Sequence, residues 1–561
     1  MKTPIRFLLF TLLCVSLFGA AQGQTENPNG QSLIPAKTRW VAKIDNPDSD
    51  MARGRFELYD ISSGSPKLLN KDFPVKGMGY SPIRINENIN FARWLSDIFW
   101  DNVKPDPFSP DEINGKLTQN YRFLWEDDEC ILPNPESCRG DLTRMNKLNV
   151  NTIRVYGMTS RFLASRKRNG NYETYIPDAK DQNDPDLVAR CTHKQFLDDC
   201  AAHGIYVIVG LFLDSNFWDK RVWDLQKTDP HIKNQILWYE KAYKEVVEEV
   251  GNHPAVMGFC INNEIDGPDI FYEDKEKAQF FWWQMNHISS TVKGIAPDKL
   301  VGVAFHQDTK IVWGAQDHMK HVPNIDYWGV NVYQKDETGL ANIFYIDQEI
   351  VPKPPLPKFS LLGYSKLSPE AKKPLLFTEM GWPQTTRTIQ SEDCDGRKSI
   401  TDGDETVTKA VSDLMRLIGG KLHVAPDEKE FPLCPGTFYF EFSDEWYKEG
   451  EKAQNKECLN GKQLCTWIGT NATNPNFPGG WWDEAGFGVF STKRASDIPD
   501  CARTFDYLPE FNYFGPLQAY DRLELGTRKS ENNPRHYLHK AIRDVYGVVP
   551  VAPSGASIPT D

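Results

Sequence analysis

From residue 75 onward the chain repeats one pattern, in which a short apolar run ending in polar or aromatic residues precedes a helix-length amphipathic segment. Runs of this length and β-branched content are typical of buried strands. Strands that alternate with helices form parallel sheets, and eight of them close into a (β/α)8 TIM barrel, so we predict this α/β fold. The predicted strands are Val75–Tyr80, Thr152–Tyr156, Tyr206–Leu213, Val256–Asn262, Leu300–Phe305, Tyr327–Val332, Leu375–Thr378 and Thr437–Phe442.

The segments between these strands include four predicted helices: His193–His203, Ile232–Val250, Lys275–Lys293 and Thr406–Ile418. Gly204 and Gly251 follow the first two, and glycine at this position predicts a left-handed helix C-cap. The alternative architecture is an open doubly wound sheet, whose first strand normally runs into a Gly-rich phosphate loop. No such loop follows the first predicted strand, so the barrel is favoured.

Long insertions follow the strand ends and therefore belong to the carboxyl face of the predicted barrel, where the active sites of this fold lie. We expect them to wall a cleft. These insertions are Asp101–Cys138, Thr159–Arg190, Gln334–Lys373, Pro383–Asp404 and Tyr447–Gly486.

Four segments are predicted along the chain: a signal peptide (1–23), an N-terminal extension or small β cap (24–74), the catalytic barrel domain (75–491) and a C-terminal extension (492–561). Two strand-like pieces lie in the second segment, Arg39–Ile44 and Arg55–Ile61, and a short helix, His536–Val545, lies in the last.

The first residues carry Lys2 and Arg6 before the apolar stretch Phe7–Ala21, and Ala21-Gln22-Gly23 offers small residues for cleavage. A membrane anchor would need about 20 apolar residues, and this run is shorter. The C-terminal residues are polar, without the hydrophobic tail of a lipid-anchor signal. We therefore expect a secreted, extracellular protein with no membrane anchor.

The net charge of the chain disfavours one class of ligand, nucleic acid. The formal charge of -13 and the lack of a Lys/Arg block argue against a nucleic-acid partner.

Cys14 lies in the predicted signal peptide, which leaves ten of the 11 cysteines, and an even number favours disulfides in a secreted protein. No C-x-x-C pair or His cluster indicates a metal site, and we expect no cofactor. Asn471-Ala472-Thr473 is an N-glycosylation sequon, which a eukaryotic source would use.

Two glutamates, Glu264 and Glu379, lie at the ends of the fourth and seventh predicted strands. These strand ends face each other across the mouth of a barrel, so their carboxyls can flank one bond of a substrate. Glycoside hydrolysis requires this arrangement, with one carboxyl protonated and the other ionised. A single glutamate at a strand end is more often a solvated loop residue, whereas the pair predicts a glycosidase site.

Several neighbouring side chains suit a sugar. Asn263 supplies an amide for a sugar 2-hydroxyl, and Tyr333 can donate its hydroxyl to Glu379, although a buried core Tyr is equally expected. Arg154 either points into the barrel and orients a carboxylate or points outward into a surface ion pair. Three tryptophans can stack on glucose rings or serve in packing: Trp218, Trp223 and Trp446.

Asn263-Glu264 and Glu379 resemble the signature of the large retaining clan A of TIM-barrel glycoside hydrolases. Within that clan, several stretches resemble glycoside hydrolase family 72, the β-1,3-glucanosyltransferases, over roughly Gly77 to Ser491. Phe440–Trp446 is more similar to hydrolytic relatives, including the family 17 β-1,3-glucanases. The stretches similar to family 72 are Cys138–Asp141, Leu148–Tyr156, Cys200–Val207, Asp326–Tyr333 and Gly486–Phe490.

This resemblance implies a role for several residues. Glu264 corresponds to the acid/base and Glu379 to the nucleophile, while the residues corresponding to the sugar lining are Tyr156, Asp214, Asn263 and Tyr333. The resemblance also implies a disulfide between Cys138 and Cys191. The chain departs from family 72 at Trp382-Pro383 and in lacking a lipid-anchor signal.

We therefore predict a secreted retaining β-glycoside hydrolase or transglycosylase that acts on a β-glucan polysaccharide or oligosaccharide, with β-1,3-linked glucan as the expected substrate. The alternative is a catalytically inactive carbohydrate-binding barrel, which would commonly have lost one of the two carboxylates. A metal-dependent deacetylase would need ligand clusters that the sequence does not show. The sequence does not determine the oligomeric state or the choice between hydrolysis and transfer.

Overall fold

The computed structural model describes the barrel and its immediate surroundings. The predicted signal peptide, the predicted helix Thr406–Ile418 and most of the long insertions lie outside the described residues. The described residues are 32–49, 52–81, 99, 112–113, 116–117, 125–126, 140–158, 166–168, 171–173, 192–211, 213, 215–265, 275–306, 312–313, 316–333, 343–351, 359–382, 385–386, 401–402, 434–443, 487–489 and 536–547.

An antiparallel sheet of three strands precedes the barrel: β1 (Thr38–Asp45), β2 (Arg53–Asp60) and β3 (Lys67–Asn70). The two predicted strand-like pieces form the β1–β2 hairpin. The third strand was not predicted, because its four residues are largely exposed and show no alternation of apolar and polar side chains.

Eight parallel strands form a closed barrel, in which each strand pairs with the next along the chain and the last pairs with the first. The predicted (β/α)8 barrel is therefore confirmed, with strand ends that differ by at most three residues from those predicted. The strands are β4 (Val75–Gly79), β5 (Thr152–Val155), β6 (Tyr206–Leu211), β7 (Val256–Asn263), β8 (Leu300–Phe305), β9 (Tyr327–Val332), β10 (Leu375–Met380) and β11 (Gly436–Tyr439).

The described helices surround this barrel. They are α1 (Asp141–Lys147), α2 (Lys194–Ala202), α3 (Ser215–Trp218), α4 (Lys220–Leu225), α5 (Pro230–Val250), α6 (Lys275–Ile295), α7 (Gln316–Met319), α8 (His536–Gly547) and a 3-10 turn at Tyr364–Lys366. Within the insertions, short antiparallel ribbons pair Glu112–Ile113 with Lys116–Leu117, Arg166–Arg168 with Asn171–Glu173, Asp347–Ile350 with Phe359–Leu362, and Thr385–Thr386 with Thr401–Asp402.

The two predicted glycine caps differ in outcome. Gly204 has a φ of 69°, so the left-handed cap after α2 is confirmed. Gly251 has a φ of -61°, so the left-handed cap predicted after α5 is wrong. Its N–H continues the helix by bonding to the Val247 carbonyl at 2.9 Å. A Cβ here would lie 2.8 Å from the Cβ of Ala296, so close packing beside α6, rather than backbone handedness, requires the glycine.

The N-terminal sheet covers the amino ends of the barrel strands. The Trp40 ring packs edge-on against Tyr206, the first residue of β6, with centroids 4.9 Å apart. Phe56 meets Tyr327, the first residue of β9, in the same way at 6.1 Å. The sheet therefore closes the end of the barrel opposite to the strand ends that carry Glu264 and Glu379.

Helix α8 covers the junction between the first and last barrel strands. The Tyr546 hydroxyl lies 2.8 Å from the Gly77 carbonyl of β4 and 3.2 Å from the Thr437 carbonyl of β11. The helix predicted at His536–Val545 is thus present, two residues longer, and packs where the barrel closes.

Lys299 is buried between the N-terminal sheet and the barrel, with 2% of its surface exposed. Its ammonium donates to Thr38 Oγ1 at 2.9 Å and to the His253 carbonyl at 3.0 Å. Burial lowers the pKa of Lys299 to about 7, and the charge of Asp298 offsets only part of this effect.

This lowered pKa predicts that stability rises with pH. Above pH values of about 7, folded Lys299 has released its proton, whereas the unfolded chain holds it up to the ordinary pKa of 10.5, so the free energy of unfolding increases in that window. Lys299→Met should flatten the rise, and Lys43→Met, on an exposed residue of β1, should keep it. Urea unfolding at about pH 6 and about pH 9 measures both. An equally steep rise in Lys299→Met would contradict the prediction.

Candidate active site

Glu264 and Glu379 lie at the carboxyl ends of β7 and β10, where strand pairing is irregular. The pairing of β7 with β8 shifts between Ile261 and Asn263. The pairing of β9 with β10 shifts so that Asn331 lies opposite Glu379. Bulges of this kind bend a strand and redirect its side chains, and they are common beside active sites.

The backbone at the end of β7 adopts an unusual conformation. Asn262 and Glu264 have φ values of 55° and 52°, in the left-handed region. Asn tolerates this region, but it costs a residue such as Glu about 1–2 kcal/mol. The Asn262 amide holds the turn by accepting from the Leu213 N–H at 2.6 Å and donating to the Leu213 carbonyl at 2.8 Å. Strained positions of this kind cluster at functional sites, which supports Glu264 as a functional residue.

Glu379 is buried, with 4% of its surface exposed, and each of its oxygens meets a donor. Arg154 Nη1 donates to Oε1 at 3.0 Å, and the Tyr333 hydroxyl donates to Oε2 at 2.5 Å. The contact predicted between Tyr333 and Glu379 is therefore present. A nearby cation and a hydrogen bond both favour the ionised form of a carboxyl, so Glu379 is held as a carboxylate.

Arg154 points into the barrel, with 1% of its surface exposed, which resolves the alternative that the sequence left open. Besides Glu379, its Nη1 reaches the Thr378 carbonyl at 3.1 Å and Asn331 Oδ1 at 3.3 Å. Its Nη2 donates to Asn263 Oδ1 at 2.7 Å. One guanidinium therefore connects side chains from β5, β7, β9 and β10.

Asn331, which was not predicted as a site residue, links the two glutamates. Its Nδ2 donates to Glu264 Oε1 at 3.0 Å and to Asn263 Oδ1 at 2.9 Å. Its Oδ1 accepts from Thr378 Oγ1 at 2.8 Å. A signal was available, because Asn331 interrupts an otherwise apolar strand, and a buried amide requires hydrogen-bond partners.

Two tyrosines frame Glu379. Burial raises the pKa of both Tyr156 and Tyr333 well above the usual value, and the charge of Glu379 adds to this effect. Both hydroxyls therefore remain protonated donors at neutral pH. The Arg154 guanidinium lies over the Tyr156 ring, 4.6 Å from its centroid. The Tyr156 hydroxyl is buried beside Glu379, and its interaction with that carboxyl also contributes to the raised pKa of Tyr156.

The surroundings of the two glutamates differ in a way that suits opposite functions. Glu264 is exposed at the mouth and receives an amide hydrogen bond. Glu379 is buried against a guanidinium. A carboxyl that exchanges protons with solvent suits an acid/base, and one fixed as an anion suits a nucleophile.

A third carboxyl lies beside this pair. Glu441 follows β11 and has 1% of its surface exposed. A Cβ placed on Gly79 would lie 3.1 Å from the Tyr156 hydroxyl and 3.6 Å from the Glu441 Cβ, so these side chains meet there. After burial and Glu379, Glu441 also helps to raise the pKa of Tyr156. Glu441 was not predicted as a site residue, although a Glu between two phenylalanines marks a polar position in an apolar run.

Other predicted site residues are only partly described. Trp218 lies at the end of α3, half-buried, with its ring tilted against Phe281 of α6 at a centroid distance of 5.6 Å. This contact is a packing contact, and sugar binding by Trp218 stays a prediction. The remaining predicted residues lie outside the described part of the chain: Asp214, Trp446, Cys138, Cys191 and Asn471.

The described cysteines are buried free thiols: Cys200, Cys260 and Cys434. The even number of cysteines therefore does not mean that all of them are paired.

The described residues contain no group of three or more His, Cys, Asp or Glu side chains that could hold a metal ion. Among the helices whose placement is described, none combines the length and the apolar character needed to span a bilayer.

A family model described as a domain of unknown function, DUF4434, matches residues 135–347, which is less than half of the chain. The matched region contains β5 to β9 and Glu264, and it ends before Glu379. A search of curated proteins found no match.

Solved structures give distant matches. A calcium-binding mutant of Bacteroides uniformis β-glucuronidase 2 is 11% identical with a TM-score of 0.33, over 72% of this chain and 37% of that chain. The chain therefore spans little more than a third of that protein's length. The complex of a Pyrococcus horikoshii endocellulase with cellotetraose is 12% identical with a TM-score of 0.36, over 73% of this chain and 92% of that chain. A family 1 β-glucosidase from Thermotoga maritima is 12% identical with a TM-score of 0.37, over 78% and 96%.

The buried ion pair predicts a large effect of removing Arg154. Arg154→Met leaves the Glu379 carboxylate buried without its cation and should lower the free energy of unfolding by about 3–5 kcal/mol. Arg39→Met, which removes a partly exposed ion pair with Asp298, should cost about 0–1 kcal/mol. Adding Glu379→Gln to Arg154→Met should restore part of the loss. Urea unfolding provides the comparison, and similar losses in Arg154→Met and Arg39→Met would refute it.

Proposed function

We propose that the protein is a secreted retaining β-glycoside hydrolase or transglycosylase that acts on β-glucan, with β-1,3-linked glucan as the proposed substrate. One observation carries the proposal: an exposed and a buried carboxyl lie at the ends of β7 and β10 and are connected through Asn331 and Arg154. Paired carboxyls in unlike surroundings at the mouth of a barrel are what glycosidic bond cleavage requires.

In the first step, the Glu379 carboxylate attacks the anomeric carbon while the bond from that carbon to the leaving oxygen breaks. Glu264 gives its proton to the leaving oxygen, so the departing sugar leaves as an alcohol. A glycosyl ester on Glu379 remains. In the second step, Glu264 takes a proton from water or from a sugar hydroxyl, whose oxygen then displaces Glu379. Two inversions leave the anomeric configuration unchanged.

The neighbours of Glu379 supply what these steps need. Arg154 and Tyr333 hold the attacking carboxylate as an anion and fix its direction. Asn263, which is half-buried beside Glu264, is the proposed partner of a sugar 2-hydroxyl, with which a hydrogen bond strengthens in the transition state. Asn331 is fully buried and orients Asn263 and Glu264 from below. The Tyr156 hydroxyl, which remains protonated, lies beside Glu379 and adds to the stabilisation of this anion.

The choice of β-1,3-glucan rests on the sequence resemblance to families 72 and 17, and the choice of an extracellular location rests on the predicted signal peptide. Both are proposals, as is the disulfide between Cys138 and Cys191. Hydrolysis and transfer share the glycosyl-enzyme intermediate and differ only in the acceptor, so the residues described here serve either reaction.

Incubation with laminari-oligosaccharides, followed by mass analysis of the products, tests this function. We expect shorter chains if water is the acceptor and additional longer chains if a sugar is. Glu264→Gln and Glu379→Gln should each lower turnover by a factor of about 1,000 or more, since each removes a reacting group. Wild-type enzyme that yields no products from laminari-, cello- or manno-oligosaccharides would refute the proposal and favour a carbohydrate-binding protein without catalysis.

A further inference from the structure

A groove on the outer surface lies between α4 and α6 and has a volume of about 560 Å³. Small-ligand sites usually measure about 300–1,000 Å³, so this groove is large enough for part of a chain-like ligand. It does not contain Glu264 or Glu379, and no function assigned above uses it.

Three aromatic rings form the apolar part of this groove. Trp283 of α6 has 49% of its surface exposed, which is unusual for so large an apolar side chain. Phe280 stacks on it at an interplanar angle of 26° and a centroid distance of 5.6 Å. Trp223 of α4 stands edge-on to Trp283, with centroids 5.4 Å apart. The rings therefore present one continuous surface that both helices build.

Contacts below the groove fix the orientation of these rings. The Trp223 indole N–H donates to the Phe217 carbonyl at 2.5 Å. Trp283 also stacks on His287 at an interplanar angle of 4°, and His287 Nε2 lies 2.9 Å from Glu240 Oε1. Because these side chains are held before a ligand arrives, binding would lose little side-chain freedom.

The rim of the groove is polar but internally neutralised. Lys220 Nζ lies 2.7 Å from Asp224 and 3.6 Å from Glu276. Lys227 Nζ lies 3.0 Å from Asp224. Two cations and two anions satisfy one another, so the groove does not attract a charged ligand. Their remaining donor and acceptor positions, together with the Gln279 amide, can still bind neutral hydroxyl groups.

We propose that this groove is a second carbohydrate-binding site, which holds a neutral β-linked glycan chain. A β-linked pyranose ring presents C–H groups on its face, which pack on the negative face of an aromatic ring, and hydroxyls at its edge, which a polar rim can bind. The substrate class rests on the proposed function.

The position of the groove suits a polysaccharide that also enters the active site. Helices α4 and α6 follow β6 and β7, so both begin on the carboxyl face of the barrel, where Glu264 lies. Lys220 and Glu276 stand in the first turns of these helices. A chain held at the groove is tethered near the mouth, which raises its effective concentration there.

Affinity electrophoresis in gels containing laminarin, mixed-linkage β-glucan or galactomannan tests the site without any need for turnover. The parent for all variants is Glu264→Gln, which changes an exposed residue, keeps the buried ion pair and leaves the polymer intact. In this background, Trp283→Ala should weaken retention in at least one gel by a factor of about ten, because the chain loses one of two attachment points. Trp283→Phe should keep most of the retention, since it keeps an aromatic face. Tyr345→Ala, on an aromatic residue outside the groove that is 40% exposed, should change nothing.

Retention that is unchanged by Trp283→Ala in every gel, or no retention of the parent in any gel, would overturn the second site. A dimer in solution that dissociates on Trp283→Ala, without any glycan retention, would also overturn it in favour of a contact between copies of this chain. The two proposals can fail separately. If the parent is retained in a gel, Trp283→Ala is not, and wild-type enzyme cleaves no glycan, then the second binding site is supported and the proposed function is refuted.

Discussion

The ion pair between Arg154 and Glu379 is the interaction on which the rest of the site depends. Each charge is almost wholly buried, and a buried charge is costly unless it is paired and hydrogen-bonded. Thr378, Asn331 and Asn263 accept hydrogen bonds from the two terminal nitrogens of Arg154, while its Nε has no hydrogen-bond partner among the described residues. The barrel must therefore bring four strands into register before the pair is satisfied, and the same register directs Glu379 toward the mouth.

The strand ends convert this buried network into a site that a substrate can reach. The pairing of β7 with β8 and the pairing of β9 with β10 are both irregular, and the backbone is left-handed at Asn262 and Glu264. These features turn the two carboxyls away from the regular alternation of side chains along a strand. Asn331 then connects the buried end of the network to the exposed Glu264. The opposite end of the barrel is closed by the N-terminal sheet, so structural and reactive features lie at separate ends.

The fold and the two glutamates could be predicted from the sequence because both follow from local pattern. Apolar runs predict strands, and the position of a Glu at the end of such a run can be read directly from the sequence. Asn331 and Glu441 were missed because their importance comes from partners far along the chain, although a polar residue inside an apolar run was a usable signal. Gly251 was misjudged because close packing beside Ala296 leaves no trace in local sequence. The groove at Trp283 could not be predicted, because it exists only when α4 and α6 lie side by side, and local sequence does not show which helices are neighbours.

The anomeric configuration of glycosyl azides tests the account most directly. An activated β-glycoside is incubated with azide and either Glu264→Ala or Glu379→Ala, and the product is analysed by proton NMR. If Glu379 is the nucleophile and Glu264 the acid/base, azide replaces the acceptor in Glu264→Ala and yields the β-glycosyl azide. In Glu379→Ala it replaces the nucleophile and yields the α-glycosyl azide. The reverse pairing of variants and products, or the same anomer from both variants, would contradict the assignment.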